Sequence, residues 1–64
     1  MTPEKKAKYL ISINSLAILS EIGNKLTMVE VNDIAKQFTL LEIDEILDNT
    51  YLTDYWQEVR KEIK

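Results

Sequence analysis

One proline and one glycine are all the strong backbone punctuation in these 64 residues, and they stand at Pro3 and Gly23. A fold of short strands needs Gly, Pro and similar turn residues every few positions. A chain this poor in them favours helices joined by few connections. At this length it is a single domain, spanning 1–64, with a thin stability margin. There is no cysteine to staple it and no histidine. Small chains of this kind rely on tight helix packing or on oligomerisation.

The first helix is delimited clearly. Thr2 offers a capping hydroxyl, Pro3 suits the first helical position, and Glu4 places an acid in the first turn. Apolar residues then run from Ala7 to Ile22, and Gly23-Asn24 stops the helix with a left-handed residue. At 100° per residue, Lys5, Lys8, Ser12 and Ser15 share one narrow stripe. The apolar residues occupy the remaining arc, broken by Asn14, Ser20 and Glu21. That arc is wider than one packing face requires. Either the rest of the chain surrounds this helix, or a second chain shares it. Ile11, Leu16, Ile18 and Ile22 are the candidate dimer contacts.

A second start follows. Thr27 and Glu30 form the capping box T-x-x-E, and Leu26 and Val31 form the hydrophobic staple around it. The apolar stripe is Met28, Val31, Ile34, Ala35 and Phe38. A short strand through Met28–Val31 would alternate acceptably, but Asn-Asp-Ile-Ala-Lys-Gln behind it argues for a helix. Thr39 and Glu42 repeat the box, with Phe38 and Ile43 as the repeated staple. A twelve-residue offset turns an apolar face by about 120°. Two stripes so displaced would not share one core, so a break is expected at Phe38–Thr39. The stripe beyond Asn49 is Leu52, Tyr55, Trp56, Val59 and Ile63. Continued from residue 40, it would face the opposite way, so a bend is expected near Asn49–Leu52, with Thr53 as N-cap. The expected fold is all-α: a small bundle of three to four helices near 3–22, 28–38, 40–48 and 53–63, with the long first helix central.

Charge is distributed unevenly. Residues 1–36 carry five Lys against four acids. Residues 37–59 carry six acids (Glu42, Asp44, Glu45, Asp48, Asp54, Glu58) and no Lys or Arg. With no His, no Cys and no Gly-rich phosphate loop, little is left from which to build a catalytic site. Paired carboxylates can hold a hard cation, but Glu42, Asp44, Glu45 and Asp48 lie on the outward side of their helix. Asp48-Asn49-Thr50 also lacks the glycine and spaced acids of a calcium loop. No enzyme activity, metal or cofactor is expected.

The stretch VNDIAKQF, residues 31–38, resembles the first helix of a helix-turn-helix, with Ala35 at the helix crossing and Ile34 and Phe38 as core. That resemblance covers about a third of the chain and implies a DNA-binding transcriptional regulator. The pattern then departs. The usual turn glycine, four residues after the alanine, is Thr39. Core positions ten and thirteen residues after it are Glu45 and Asp48. A recognition helix must also approach phosphates, and residues 40–48 offer four carboxylates and no cation. Lys5, Lys6, Lys8 and Lys25 could form a basic patch only elsewhere.

Protein binding fits this composition better. The acidic zone would steer a basic partner, and apolar or aromatic residues beside it would supply affinity. Glu42, Asp44, Glu45, Asp48, Leu41, Tyr51, Tyr55 and Trp56 are the candidate partner-binding residues. Tyr and Trp dominate interface hot spots, but they also fill small cores. The expectation is a small acidic regulatory or adaptor protein, cytoplasmic and homodimeric. Its Ile-, Lys- and Asn-rich usage suggests a bacterial or phage source. No membrane span is expected, since no apolar run approaches the necessary length.

Overall fold

The computed structural model describes residues 1–63, without the Asn24 side chain. Only the Asn24 side chain lies outside that description; its backbone belongs to the turn that follows the first helix. The chain folds into three helices and no strand among these residues: α1 (Pro3–Ile22), α2 (Met28–Asp48) and α3 (Thr53–Glu62). A single 3₁₀ turn over Gly23–Lys25 joins the first two. The body measures 39 × 19 × 16 Å. α1 packs on both α2 and α3, more extensively than those two pack on each other. It is the central helix expected from its wide apolar arc.

The expected N-cap devices at α1 and α2 are present. Thr2 Oγ1 accepts from the Lys5 N–H at 3.2 Å. Thr27 Oγ1 accepts from the Glu30 N–H at 3.2 Å, and Glu30 Oε1 accepts from the Thr27 N–H at 3.1 Å. Each such cap contributes about 1 kcal/mol. Leu26 packs beside Val31 as the staple requires. α1 ends at Gly23, whose N–H donates to the Leu19 carbonyl. Gly23 takes φ 68° with ψ −130°. Its φ is positive as expected, but its ψ lies far from the left-handed helical value. Only glycine enters that region readily.

Two expectations about helix boundaries are corrected. The break at Phe38–Thr39 does not exist, because α2 runs unbroken for 21 residues. Its buried stripe is Val31, Ala35, Thr39 and Ile43, spaced by four. This is the spacing of the i±4n ridges on which helices cross. The stripe does turn by about 120° over those twelve residues, and two separate clusters absorb the turn. Val31 and Ala35 pack with Ile18 of α1, flanked by Ile11, Leu19, Ile22 and Ile34. Ile43 packs with Ala7 of α1 and with Val59 and Ile63 at the end of the chain, flanked by Leu10, Ile11, Leu40 and Leu47. Ile11 belongs to both. An unbroken helix therefore serves two cores because α1 packs on it at both clusters and α3 closes one of them. Thr39 is not a cap and Phe38 is not a staple: Thr39 is 0% exposed and Phe38 is 48% exposed.

The bend after Asp48 is present. Asn49 closes α2, its N–H donating to the Ile46 carbonyl and its Nδ2 to the Glu45 carbonyl. The second correction concerns Thr53, which is the first helical residue rather than the N-cap. Leu52 is the cap and makes no side-chain capping bond. The hydroxyl that matters here is Thr50, whose Oγ1 accepts from the Leu52 N–H at 3.1 Å. Arg60 and Lys61 in the last turn of α3 suit its macrodipole.

Candidate protein-binding surface

The outer face of α2 is set by its inner one. Since Val31, Ala35, Thr39 and Ile43 point inward, Phe38, Leu41, Glu45 and Asp48 follow one another at spacings of three, four and three on the outside. All four are exposed, Leu41 by 65%. Glu45 and Asp48 form no ion pair among the described residues. Glu42, Glu45, Ile46 and Asn49 line a shallow open depression on the same helix. The arrangement presents two apolar side chains followed by uncompensated carboxylates.

The other candidate residues divide. Glu42 accepts a hydrogen bond from Asn14 Nδ2 at 2.8 Å, which holds its carboxylate toward α1. Asp44 accepts from Arg60 Nε at 2.8 Å, a half-exposed ion pair between α2 and α3. Such pairs contribute well under 1 kcal/mol. The aromatic residues do not act as one group. Tyr55 and Trp56 are half-buried against the Ala7–Ile43 cluster and meet edge to face, with centroids 5.5 Å apart. The Tyr55 hydroxyl donates to the Met1 carbonyl at 3.0 Å. Lys6 Nζ lies 5.6 Å from the Tyr9 ring centre and 5.8 Å from that of Trp56. Tyr51 stands apart at the α2–α3 corner, fully exposed with Leu52 beside it.

Among the four candidate dimer contacts, only Leu16 is exposed. Ile18 is buried within its own chain, and Ile11 and Ile22 pack partly into the two clusters. The residues that join Leu16 on the outside of α1 are Tyr9 and Ile13. Their spacing of four and three was visible in the sequence. It was masked because apolar residues also fill the inward face.

Among the described residues no three of His, Cys, Asp and Glu gather closely enough to hold a metal ion. No helix among them is long and apolar enough to cross a membrane. The continuity of α2 also means that residues 28–38 and 40–48 are not the two helices of a helix-turn-helix. No family model, curated protein or solved structure matches the chain. The fold defines its class: a small all-α bundle of three helices.

Proposed function

We propose that this chain is a small non-enzymatic regulatory or adaptor protein that acts by binding another protein, and that it does so as a homodimer. The observation that carries the reading is the outer face of α2. There Phe38 and Leu41 are exposed directly beside Glu45 and Asp48, and among the described residues no cation pairs with either acid. Apolar side chains supply affinity when a partner covers them. Uncompensated carboxylates raise the encounter rate with a basic surface by about 10- to 1,000-fold. The partner is therefore a protein whose surface pairs Lys or Arg with an apolar patch. Tyr51, fully exposed one turn beyond Asp48, extends the surface.

Site-specific photo-crosslinking in the native host tests this. A photoreactive phenylalanine analogue at Leu41 is expected to trap one defined protein. The same group at exposed Gln57, whose helical neighbours Thr53, Asp54, Arg60 and Lys61 are all polar, traps none. The Leu41 adduct is expected to fall at least tenfold when Glu45 and Asp48 are both changed to Lys. Equal adducts from both positions, or an adduct indifferent to the charge reversal, would defeat the reading.

A further inference from the structure

α3 is the least secured of the three helices. It has 10 residues, and its cap, Leu52, makes no side-chain capping bond. A helix of that length is marginal by itself. What holds it is the groove between α1 and α2. Val59 and Ile63 are buried there against Ala7 and Ile43, with Leu10, Leu40 and Leu47 packed around them. The polar contacts that accompany this packing are exposed: Asp44 with Arg60, and the Tyr55 hydroxyl with the Met1 carbonyl.

The corner that folds α3 back contains nothing that requires a corner. Asn49-Thr50-Tyr51-Leu52 has no Gly and no Pro, and among the described residues only Gly23 has a positive φ. Asn49 lies at φ −128° and ψ 14°, and Leu52 at φ −91° and ψ 49°. Both reach helical values without crossing a forbidden region. The corner's own bonds are local, from the Asn49 N–H to the Ile46 carbonyl and from the Leu52 N–H to Thr50 Oγ1. A continuous helix replaces them with backbone bonds to the fourth residue back. In such a helix Leu52, Trp56, Val59 and Ile63 face about 160° away from Leu40, Ile43 and Leu47, by the 100° step per residue. Its second half then cannot reach the groove of its own chain. It can fill only the same groove on another copy.

We infer that α3 is exchangeable: the corner at 49–52 straightens, and the α3 of each of two copies docks in the α1–α2 groove of the other. The groove already holds α3, so exchange needs no new complementarity and repeats each of its contacts between chains. A short corner favours this outcome. Exchange also covers apolar surface that the single chain leaves bare. Asp44 of each copy pairs with Arg60 of the other, and residue 52 is the chain midpoint between them. The two-fold axis therefore falls beside Leu52, which is 65% exposed in the single chain next to fully exposed Tyr51. This goes beyond the homodimer proposed above. Each half of an exchanged pair repeats the packing of the single chain, so faces remote from the corner, at Leu16 and Leu41, stay as they are.

The native chain contains no cysteine, so single cysteines report the exchange without background. Full chains carrying Asp44→Cys are mixed with an equal amount of full chains carrying Arg60→Cys, held at millimolar concentration, and linked with a short bismaleimide. Exchange brings residue 44 of one chain beside residue 60 of the other, so the mixed dimer is expected at least tenfold above either like-with-like dimer. Random encounter gives the statistical ratio instead. Inserting Gly-Gly-Gly after Tyr51 in both chains eases the fold-back of α3 and disfavours a helix through the corner. It is expected to cut the mixed dimer at least tenfold while helicity by circular dichroism is retained. A statistical ratio, or a mixed dimer indifferent to the insertion, overturns the exchange. Either result leaves the homodimer standing where sedimentation of the native chain still finds a dimer. A native chain that sediments as a monomer up to millimolar concentration overturns both.

Discussion

Asn14 Nδ2 lies 2.8 Å from Thr39 Oγ1, joining the middle of α1 to the middle of α2 between the two apolar clusters. The same amide donates to Glu42, and the Thr39 hydroxyl donates to the Ala35 carbonyl at 2.7 Å. The Asn14 amide nitrogen and the Thr39 hydroxyl are thereby both used, and among the described residues no buried side-chain nitrogen or oxygen lacks a partner. A buried polar group costs little when paired and about 1–3 kcal/mol when orphaned.

Substitutions at this junction should therefore be non-additive. Asn14→Ala is expected to destabilise by about 1–2 kcal/mol, through lost bonds and lost packing. Thr39→Val should cost about 1 kcal/mol, because it strips one acceptor from Asn14 and keeps the shape. Asn14→Ala combined with Thr39→Val should cost less than the sum of the single changes. Urea denaturation of the four species checks this, and strict additivity would show that the two residues act independently.

Thr39 also shows where the sequence misleads. Thr27 and Thr39 have the same spacing to a glutamate and the same apolar neighbours, yet only Thr27 is a cap. The difference lies upstream. Gly23-Asn24-Lys25 precedes Thr27, and Gly23 breaks the preceding helix, whereas Lys36-Gln37-Phe38 before Thr39 contains no helix breaker. A capping box terminates nothing by itself, since Thr can turn its hydroxyl back to the carbonyl four residues earlier. The helical class, the central α1, the Thr27 start and the bend after Asp48 were legible because caps and periodicity are local. The continuity of α2 was not legible, because a stripe that turns by about 120° is acceptable only where two different bodies cover it. That second body, α3, lies far along the chain.

Gly23 gives a sharper test of backbone geometry. Nothing lies within 4 Å of a Cβ built there, so any cost of Gly23→Ala is conformational rather than steric. An L-alanine at φ 68° and ψ −130° should cost about 1–3 kcal/mol. A chain this short can be made by synthesis, and a D-alanine at the same position should match or exceed the native stability. Thermal unfolding of both variants decides it, and equal destabilisation by the two enantiomers would contradict this origin.

The acidic outer face of α2 should make the chain a poor ligand for nucleic acid. At about 50 mM salt, where phosphate contacts are strong, no retention on duplex DNA is expected. Retention that declined steeply with added salt would reopen a basic surface built from Lys5, Lys6, Lys8 and Lys25.

The ion pair between Asp44 and Arg60 should matter little by contrast. Both side chains are half exposed, so Asp44→Asn is expected to cost no more than about 0.5 kcal/mol. The difference should vanish in 1 M salt, where exposed charges are screened within about 3 Å. A larger loss in guanidine-free thermal melts, persisting at high salt, would mean that the pair also orders α3 against α2.

α1 carries two apolar faces, one packed into its own chain and one exposed at Tyr9, Ile13 and Leu16, and the proposed homodimer requires that a second copy cover exposed apolar surface of this kind. Methyl-resolved NMR spectra recorded on dilution from millimolar to micromolar concentration test it most directly. The Ile13 and Leu16 methyl signals are expected to move with concentration while those of Ile18 and Val31 stay fixed. Signals that all stay fixed, or movement confined to Leu41 on α2, would contradict it.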